Sequence, residues 1–224
     1  NGFAYLHDDE TWDLFTPNKD DAPSNIVLAL DGDGNGGLWV AGGDVAELGE
    51  GGLAHLSAEG IWQTKINSLT FAVSADSKGG VWMSMVGFLV HFPASGKPDQ
   101  VFSVIDNPNY SKLPGKMAVV LSIVPDNTDG IWIAGNDISL QHGGGLAHLL
   151  ADRTWEVFDT SNSKLPADQT TTLAADGQGG VWIGTLKGLA HLRADKTWEV
   201  FTPSNSQLPE ESVMSLATDG QGGV

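Results

Sequence analysis

The sequence predicts an all-β fold, a β-propeller of four-stranded antiparallel blades, on three observations. One motif order recurs along the chain: an Asp closing an apolar run, a Gly-rich turn ending in Trp, a GLAHL segment and a TWEVF segment. The apolar runs are short and rich in Val, Ile, Thr, Trp and Phe, which is typical of strands. No segment shows a sustained 3.6-residue apolar period. A repeat of about 40–50 residues indicates a propeller or a solenoid, and four strands per repeat favour the propeller.

The spacing of the repeat is measured from the Asp that each copy contains. We assign this Asp to Asp31, Asp76, Asp126, Asp176 and Asp219, which lie at intervals of 45, 50, 50 and 43 residues. One such sheet leaves two apolar faces uncovered, so blades are expected to stack around an axis. Closing the ring would also remove exposed sheet edges.

The clearest repeat predicts the strands of one blade. They are expected at Thr170–Ala175, Val181–Thr185, Leu189–Arg193 and Thr197–Thr202. Each is bounded by Gly- or Asp-rich turns, as hairpins require.

The same pattern predicts a single propeller domain over residues 1–224. Its blades are expected at residues 22–66, 67–112, 113–164 and 165–207, with a fifth blade split between residues 1–16 and 208–224. Residues 1–16 supply the third and fourth strands of the split blade, and 208–224 supply its first strand, so the second strand is missing. The chain is therefore expected to be a five-bladed ring or a fragment of a larger ring.

Composition narrows the class of partner. The chain carries 11 Lys and Arg against 28 Asp and Glu, a formal charge of −17. Such a field disfavours nucleic acid and anionic membranes, which need clustered cations. No apolar run approaches the roughly 20 residues that span a bilayer, so no membrane insertion is expected. Cysteine is absent, which excludes a thiolate metal site and a Cys nucleophile.

The residues of the repeat resemble the two-component regulator propeller repeat of bacteria. The matching positions are Leu165-Pro166, Asp176, Gly179, Trp182-Ile183-Gly184-Thr185 and Gly188-Leu189. Leu113-Pro114, Asp126, Gly130 and Trp132-Ile133 match in another copy, and Leu208-Pro209, Asp219 and Gly222 match in the last one. The copy at Asp76 departs most, because Trp82-Met83-Ser84-Met85 lacks the Gly-Thr pair.

This resemblance implies a sensor-type module. Repeats of that family often form the extracytoplasmic sensor regions of signalling proteins, some of which recognise carbohydrate fragments. It therefore implies a periplasmic or extracellular location and a small-molecule or glycan ligand, or another protein, as partner. Fold likeness alone is a weak guide to function.

Two insertions break the repeat, both between the second and third strands. One covers residues 43–50 and the other residues 136–143, where the clearest repeat has only Leu186-Lys187. In a propeller these loops emerge on one face, and insertions confined to one face are where repeat proteins tend to bind ligands. The candidate ligand-binding residues are Asp44, Glu47, Glu50, Asn136, Asp137, Gln141 and His142. Tolerated surface insertions are the alternative.

The turn Gly32-Asp33-Gly34-Asn35-Gly36-Gly37 suggests two kinds of site. It satisfies G-x-G-x-x-G, but a strand follows it where a dinucleotide site needs a helix. Asp31, Asp33 and Asn35 resemble half of a calcium loop, although Gly42 stands where an EF-hand has its bidentate Glu. Calcium is therefore the one cofactor that the sequence suggests. The alternative is that these Asp and Asn side chains only stabilise a hairpin turn.

Repeated His and Trp residues are expected to be structural. Equivalent residues in different blades are rotated about the axis, so they cannot converge on one metal. We therefore expect His55, His91, His148 and His191 to pack between blades, with Tyr5 in the fifth position. The second-strand Trp residues are expected in the core, whereas those of the fourth strands lie nearer the rim.

The resulting functional hypothesis is a non-enzymatic module that binds a small polar or carbohydrate-like ligand. No catalytic motif is present in the sequence. Two alternatives stay open. One is a propeller lyase or hydrolase resembling the streptogramin lyases, with a metal held by His142 and Asp44 or Asp137. The other is a structural or protein-interaction scaffold.

Overall fold

The computed structural model describes residues 2–6, 9–16, 24, 26–43, 51–103, 111–112, 117–137 and 143–224, with residues 111, 112 and 143 by backbone alone. Every regular element in these residues is a β-strand, which confirms the all-β prediction. The strands are β1 (Phe3–Leu6), β2 (Trp12–Phe15), β3 (Val27–Gly32), β4 (Leu38–Gly43), β5 (Gly51–Leu56), β6 (Trp62–Ile66), β7 (Ala72–Ala75), β8 (Val81–Met85), β9 (Phe88–Phe92), β10 (Gln100–Ser103), β11 (Ser111–Lys112), β12 (Val119–Pro125), β13 (Ile131–Asn136), β14 (Gly143–Leu149), β15 (Trp155–Phe158), β16 (Thr170–Ala175), β17 (Val181–Thr185), β18 (Gly188–Leu192) and β19 (Trp198–Phe201).

The strands form sheets in the order of the predicted blades. Three sheets have four strands in sequential order, namely β3 to β6, β12 to β15 and β16 to β19. A fourth sheet runs from β7 to β11, in which β11 adds to β10 in parallel, a strand that the repeat does not predict. The hairpin β1–β2 is a sheet of two strands, and residues 213–218 belong to none. The number of blades and the split blade therefore stay predictions.

The chain divides into two compact units, and each is described by itself. The first comprises residues 1–85 and 91–99, and the second comprises residues 86–90 and 100–224. In the first unit β4 and β5 contribute Trp39, Val40 and Leu53 to the buried interior. The hairpin β1–β2 packs through Phe3 and Phe15, whose rings stack at 4.8 Å and meet Trp62 edge-on.

In the second unit the sheet of β12 to β15 packs on the sheet of β16 to β19. Trp132, Leu146, Ile183 and Leu192 belong to one buried cluster that draws on both sheets. Polar groups also join them, because the Thr170 hydroxyl donates a hydrogen bond to the Gly145 carbonyl at 2.8 Å. Apolar blade faces thus cover each other, as the repeat predicts.

Candidate functional site

Each complete repeat contains one Asp that closes the turn between its first and second strands. In the sheet of β16 to β19, one oxygen of Asp176 accepts hydrogen bonds from the backbone N–H groups of Gln178 (2.7 Å) and Gly180 (2.8 Å). The Asp176 N–H donates to the Gly180 carbonyl at 3.2 Å. The carboxylate therefore stabilises the turn, because it accepts hydrogen bonds from backbone N–H groups that have no partner in the strand pairing.

The second oxygen of the same Asp binds a His on the third strand. His191 Nε2 lies 2.9 Å from Asp176 Oδ2, and a carboxylate only accepts, so this nitrogen is the donor. The His191 ring stacks on Trp182 with a centroid separation of 4.0 Å and an interplanar angle of 8°. We call this set of one Asp, one His and one Trp the Asp–His–Trp cluster.

The Asp–His–Trp cluster recurs in four sheets. The Asp to His distance is 2.8 Å in each of the other three. Their members are Asp33, His55 and Trp39; Asp76, His91 and Trp82; and Asp126, His148 and Trp132. Each cluster ties a turn to a third strand across a buried Trp, so it is a stabilising element of the repeat.

The structure corrects the position of the repeated Asp in one copy. Asp33, and not Asp31, accepts the turn N–H groups of Asn35 and Gly37 and binds His55. Asp31 lies in β3 opposite Trp39, where the clearest repeat has Ala174 opposite Trp182. The prediction of Asp31 was wrong because two Asp residues stand two positions apart, and only the distance to the following Trp distinguishes them.

The His residues are structural as predicted, but their contacts differ from the expectation. We expected them to pack between blades, whereas each binds the Asp and packs against the Trp of its own sheet, with the two rings stacked in two sheets and tilted in the other two. The reason is the pairing register, which places Trp182 directly opposite His191 on neighbouring strands. Two His residues also meet a second carboxylate, since His91 Nδ1 lies 2.6 Å from Asp99 Oδ1 and His148 Nδ1 lies 3.4 Å from Glu156 Oε2.

The hydrogen bonds of the cluster lower the pKa of its Asp residues. Burial by itself raises the pKa of Asp176, but the bonds from His191 and from the Gln178 and Gly180 N–H groups outweigh it and bring the pKa below the ordinary 3.8. The same balance lowers the pKa of Asp76 and Asp126. A pKa that is lower in the folded than in the unfolded chain stabilises the fold above the ordinary pKa.

We therefore expect the free energy of unfolding to decrease on acidification. The free energy should stay constant from neutral pH down to about pH 5 and then decrease as the pH falls through about 4 toward the lower pKa values of the folded state. Urea denaturation followed by Trp fluorescence at several pH values measures this. Asp176→Asn, whose amide cannot be protonated in this range, should be less stable at pH 7 and lose less stability on acidification. A parent chain equally stable at pH 7 and pH 3 would contradict the assignment.

The second candidate region is the end of β13, where one insertion begins. Asn136 is the last residue of β13 and lies opposite Val119, the first residue of β12. Its amide Nδ2 donates to the Thr170 carbonyl at the start of β16, at 3.2 Å. Asn136 is buried, and its Oδ1 has no hydrogen-bond partner among the described residues. Because the Thr170 carbonyl needs a donor, the amide cannot flip to satisfy Oδ1.

Only part of the predicted ligand site falls in the described residues. Asn136 and the half-buried Asp137 are neighbours at the end of β13. Asp44, Glu47, Glu50, Gln141 and His142 lie outside the described residues. The pairing of His142 with Asp44 or Asp137 that an enzyme would need therefore also lies outside them, and these residues stay predictions.

The three calcium candidates make other bonds. The Asp31 carboxylate accepts a hydrogen bond from the Ala75 N–H at 2.7 Å, and burial raises its pKa. Both oxygens of Asp33 are occupied by the turn and by His55. Asn35 is exposed and bonds back to Asp33. Calcium would have to displace His55 or the turn, and its binding here stays a prediction.

Two further findings apply to the part of the chain that the structure describes. It contains no group of three or more His, Asp or Glu side chains placed to hold a metal ion. It also contains no helix that could cross a bilayer.

The chain is similar to known proteins in its structure. No protein-family model and no curated protein matches the sequence. Two similar solved structures are described as extracellular domains of hybrid two-component systems from Bacteroides thetaiotaomicron. One is 22% identical with a TM-score of 0.55 over 80% of this chain, and the other is 17% identical with a TM-score of 0.61 over 87%. The chain covers 22% and 24% of those two proteins.

A third similar structure is an enzyme, virginiamycin B lyase from Staphylococcus aureus. It is 11% identical with a TM-score of 0.61, and the match covers 88% of this chain and 60% of the lyase. Identities this low carry information about fold and none about activity. Together with the four-stranded antiparallel sheets, these likenesses confirm the β-propeller fold class.

Proposed function

We propose that this chain is a non-enzymatic, sensor-type propeller module that binds a small polar or carbohydrate-like ligand. The ligand binds at the face where second strands end and first strands begin, and the module works outside the cytoplasm. The extracellular two-component domains of similar fold support the class and the location.

The observation that carries the proposal is the buried Oδ1 of Asn136. A buried acceptor without a donor costs free energy comparable to a lost hydrogen bond, so an unexplained one points to a partner. A hydroxyl or amide N–H of a ligand would supply the missing donor. Because Asp137 follows directly and the chain carries a formal charge of −17, neutral or cationic ligands are favoured over anions.

Isothermal calorimetry against a panel of neutral oligosaccharides and polar metabolites tests the proposal. We expect one class to bind, and Asn136→Gly to weaken that binding about tenfold, the effect of one lost hydrogen bond of about 1–1.5 kcal/mol. Gly is the matched replacement because Gly43 follows Trp39 at the same distance as Asn136 follows Trp132.

The control is Gln178→Ala in the turn at the opposite end of the second strand, which should leave binding unchanged. Binding that survives Asn136→Gly and Asp137→Ala undiminished would move the site elsewhere. A panel without any binder would remove the ligand-binding proposal and favour the scaffold.

A further inference from the structure

The turn between β3 and β4 contains an Asn-Gly pair that the equivalent turns lack. Asn35 stands two residues after the turn Asp33, and Gly36 follows it. At the position of Asn35 the other turns have Lys78, Thr128, Gln178 and Gln221. The sequence contains Asn-Gly twice, and Asn35-Gly36 is the pair that lies wholly within the described residues. A Gly after Asn favours attack of the next backbone nitrogen on the side-chain amide, because Gly has no Cβ to block the approach.

Both groups that would react are open to solvent and weakly held. Asn35 and Gly36 are exposed. The Asn35 side-chain amide makes a single hydrogen bond among the described residues, a long one of 3.4 Å from Nδ2 to the Asp33 carbonyl. The Gly36 N–H donates to no acceptor in the described part of the chain. Neither the amide carbon of Asn35 nor the nitrogen of Gly36 is therefore fixed by a strong contact.

Two other Asn amides in exposed turns are held at both ends. Asn162 Oδ1 accepts a hydrogen bond from the Asp159 N–H at 2.9 Å, and its Nδ2 donates to the Val157 carbonyl at 3.0 Å. Asn205 makes the same two bonds in its own turn. A Ser, and not a Gly, follows each of them. Both sequence and contacts therefore distinguish Asn35 from these two residues.

We propose that Asn35 is a modification site, at which the chain deamidates and isomerises without an enzyme. The Gly36 nitrogen loses its proton to a base in solution and attacks Asn35 Cγ. The new bond joins this nitrogen to Cγ, the bond from Cγ to Nδ2 breaks, and the amide leaves as ammonia. The product is a cyclic succinimide between the two residues. The attack is intramolecular, so it needs no bound partner to bring the groups together.

Water then opens the succinimide at either of its two carbonyl carbons. Opening at Cγ leaves an ordinary aspartyl residue at position 35. Opening at the backbone carbonyl carbon leaves an isoaspartyl residue, in which the main chain runs through the side chain and is one methylene longer. Water is the only co-reactant, and no group is oxidised or reduced. Both products carry a negative charge that Asn35 lacks.

The longer main chain of the isoaspartyl product does not fit this turn. Asp33 Oδ1 accepts the N–H groups of Asn35 at 2.7 Å and of Gly37 at 2.8 Å. Gly37 has no space beside it, since a Cβ there would lie 2.3 Å from Asp33 Oδ2 and 2.7 Å from the Leu56 carbonyl oxygen. An extra methylene between the two N–H groups prevents Oδ1 from accepting both. The product therefore disturbs the Asp33 carboxylate, which also binds His55 in one Asp–His–Trp cluster.

Incubation of the 224-residue protein in mildly alkaline buffer tests the proposal. Trypsin releases residues 20–65 as one peptide, because no Lys or Arg interrupts them. We expect this peptide to convert with time into an aspartyl and an isoaspartyl form, both assigned to position 35 by fragmentation. Anion exchange separates the more acidic modified protein from the unmodified protein. In urea denaturation followed by Trp fluorescence, the isoaspartyl fraction should unfold at a lower urea concentration than the unmodified one.

Two variants separate the chemistry from its consequence. Asn35→Gln is the matched control, because Gln178 and Gln221 hold this position in other turns and the ring from Gln would need one more atom. It should abolish the modification and keep the stability of the parent. Freshly purified Asn35→Asp supplies the new charge without the longer main chain. It should therefore unfold at a higher urea concentration than the isoaspartyl fraction.

Three results would overturn the proposal. The first is a folded protein whose residues 20–65 stay unmodified over the time in which the urea-unfolded chain is converted at Asn35. The second is an equal rate of modification of this peptide in Asn35→Gln, which would place the reaction at another residue. The third is an isoaspartyl fraction as stable as Asn35→Asp, which would show that the turn accepts the longer main chain.

Discussion

Replacing Asp176 by Ala is expected to lower the free energy of unfolding by about 3–5 kcal/mol. The side chains of Asp176 and His191 are each only 5% exposed. The substitution therefore leaves buried N–H donors without an acceptor and without access to water. It also removes both turn bonds, of which the bond from Gly180 is buried. Urea denaturation at pH 7 followed by Trp fluorescence measures the loss.

Asp219→Ala is the matched control for this prediction. Asp219 makes the same two turn bonds, but it is exposed and binds no His in the described structure. Its replacement should cost about 1 kcal/mol, the net value of exposed hydrogen bonds. Equal losses in the two variants would show that the turn alone, and not the Asp–His–Trp cluster, provides the stability.

Gly180→Ala is expected to be as damaging, for a steric reason. A Cβ at this position would lie 2.3 Å from Asp176 Oδ2 and 2.6 Å from the Leu192 carbonyl oxygen. Neither group can move without breaking the bond to His191 or the strand pairing next to it. We expect a loss of at least about 3 kcal/mol, from overpacking together with the broken bonds, measured by the same denaturation.

Gly177→Ala in the same turn separates steric from conformational effects. Gly177 has φ of +73°, and no atom lies within 4 Å of the place that a methyl group would take, so Ala would meet only backbone strain. That strain costs about 1–2 kcal/mol for an L residue in the left-handed region. If Gly177→Ala were the more damaging of the two, the close approach at Gly180 would not be the reason for glycine there.

The strands of the fold were predictable because they depend on local chemistry. Val181–Thr185 was predicted to the residue, and the third strand was predicted at Leu189–Arg193 and lies at Gly188–Leu192. Short runs rich in β-branched and aromatic residues, bounded by Gly and Asp turns, determine such elements within a few residues of sequence. The burial of Trp39, Trp82, Trp132 and Trp182 was likewise confirmed, since a large aromatic repeated at one strand position has to be covered.

The Asp–His–Trp cluster was not predicted, although each of its residues was noticed. Part of its signal was available, because the His recurs in four of the five repeats that have a turn Asp, and Tyr5 takes its place in the fifth. The link depends on register, which sets His191 opposite Trp182 and lets Nε2 reach Asp176. The confusion of Asp31 with Asp33 has a different origin, since the constant spacing of six residues between the turn Asp and the following Trp was readable in the sequence and identifies Asp33.

The candidate ligand site was predictable only in outline. The insertion between second and third strands pointed to Asn136 and Asp137, because broken periodicity is visible in the sequence. That Asn136 donates to Thr170 of the next sheet, and so leaves Oδ1 without a donor among the described residues, depends on the packing of two sheets.

The amino-acid sequence by itself determined the strands, their turns, the repeat and the acidic charge, because these depend on neighbours a few residues away. Only the tertiary structure decided which carboxylate binds which His, and which polar atom is buried without a partner among the described residues. Those outcomes depend on strand register and on the packing of one sheet against the next, which join residues that are distant in the chain.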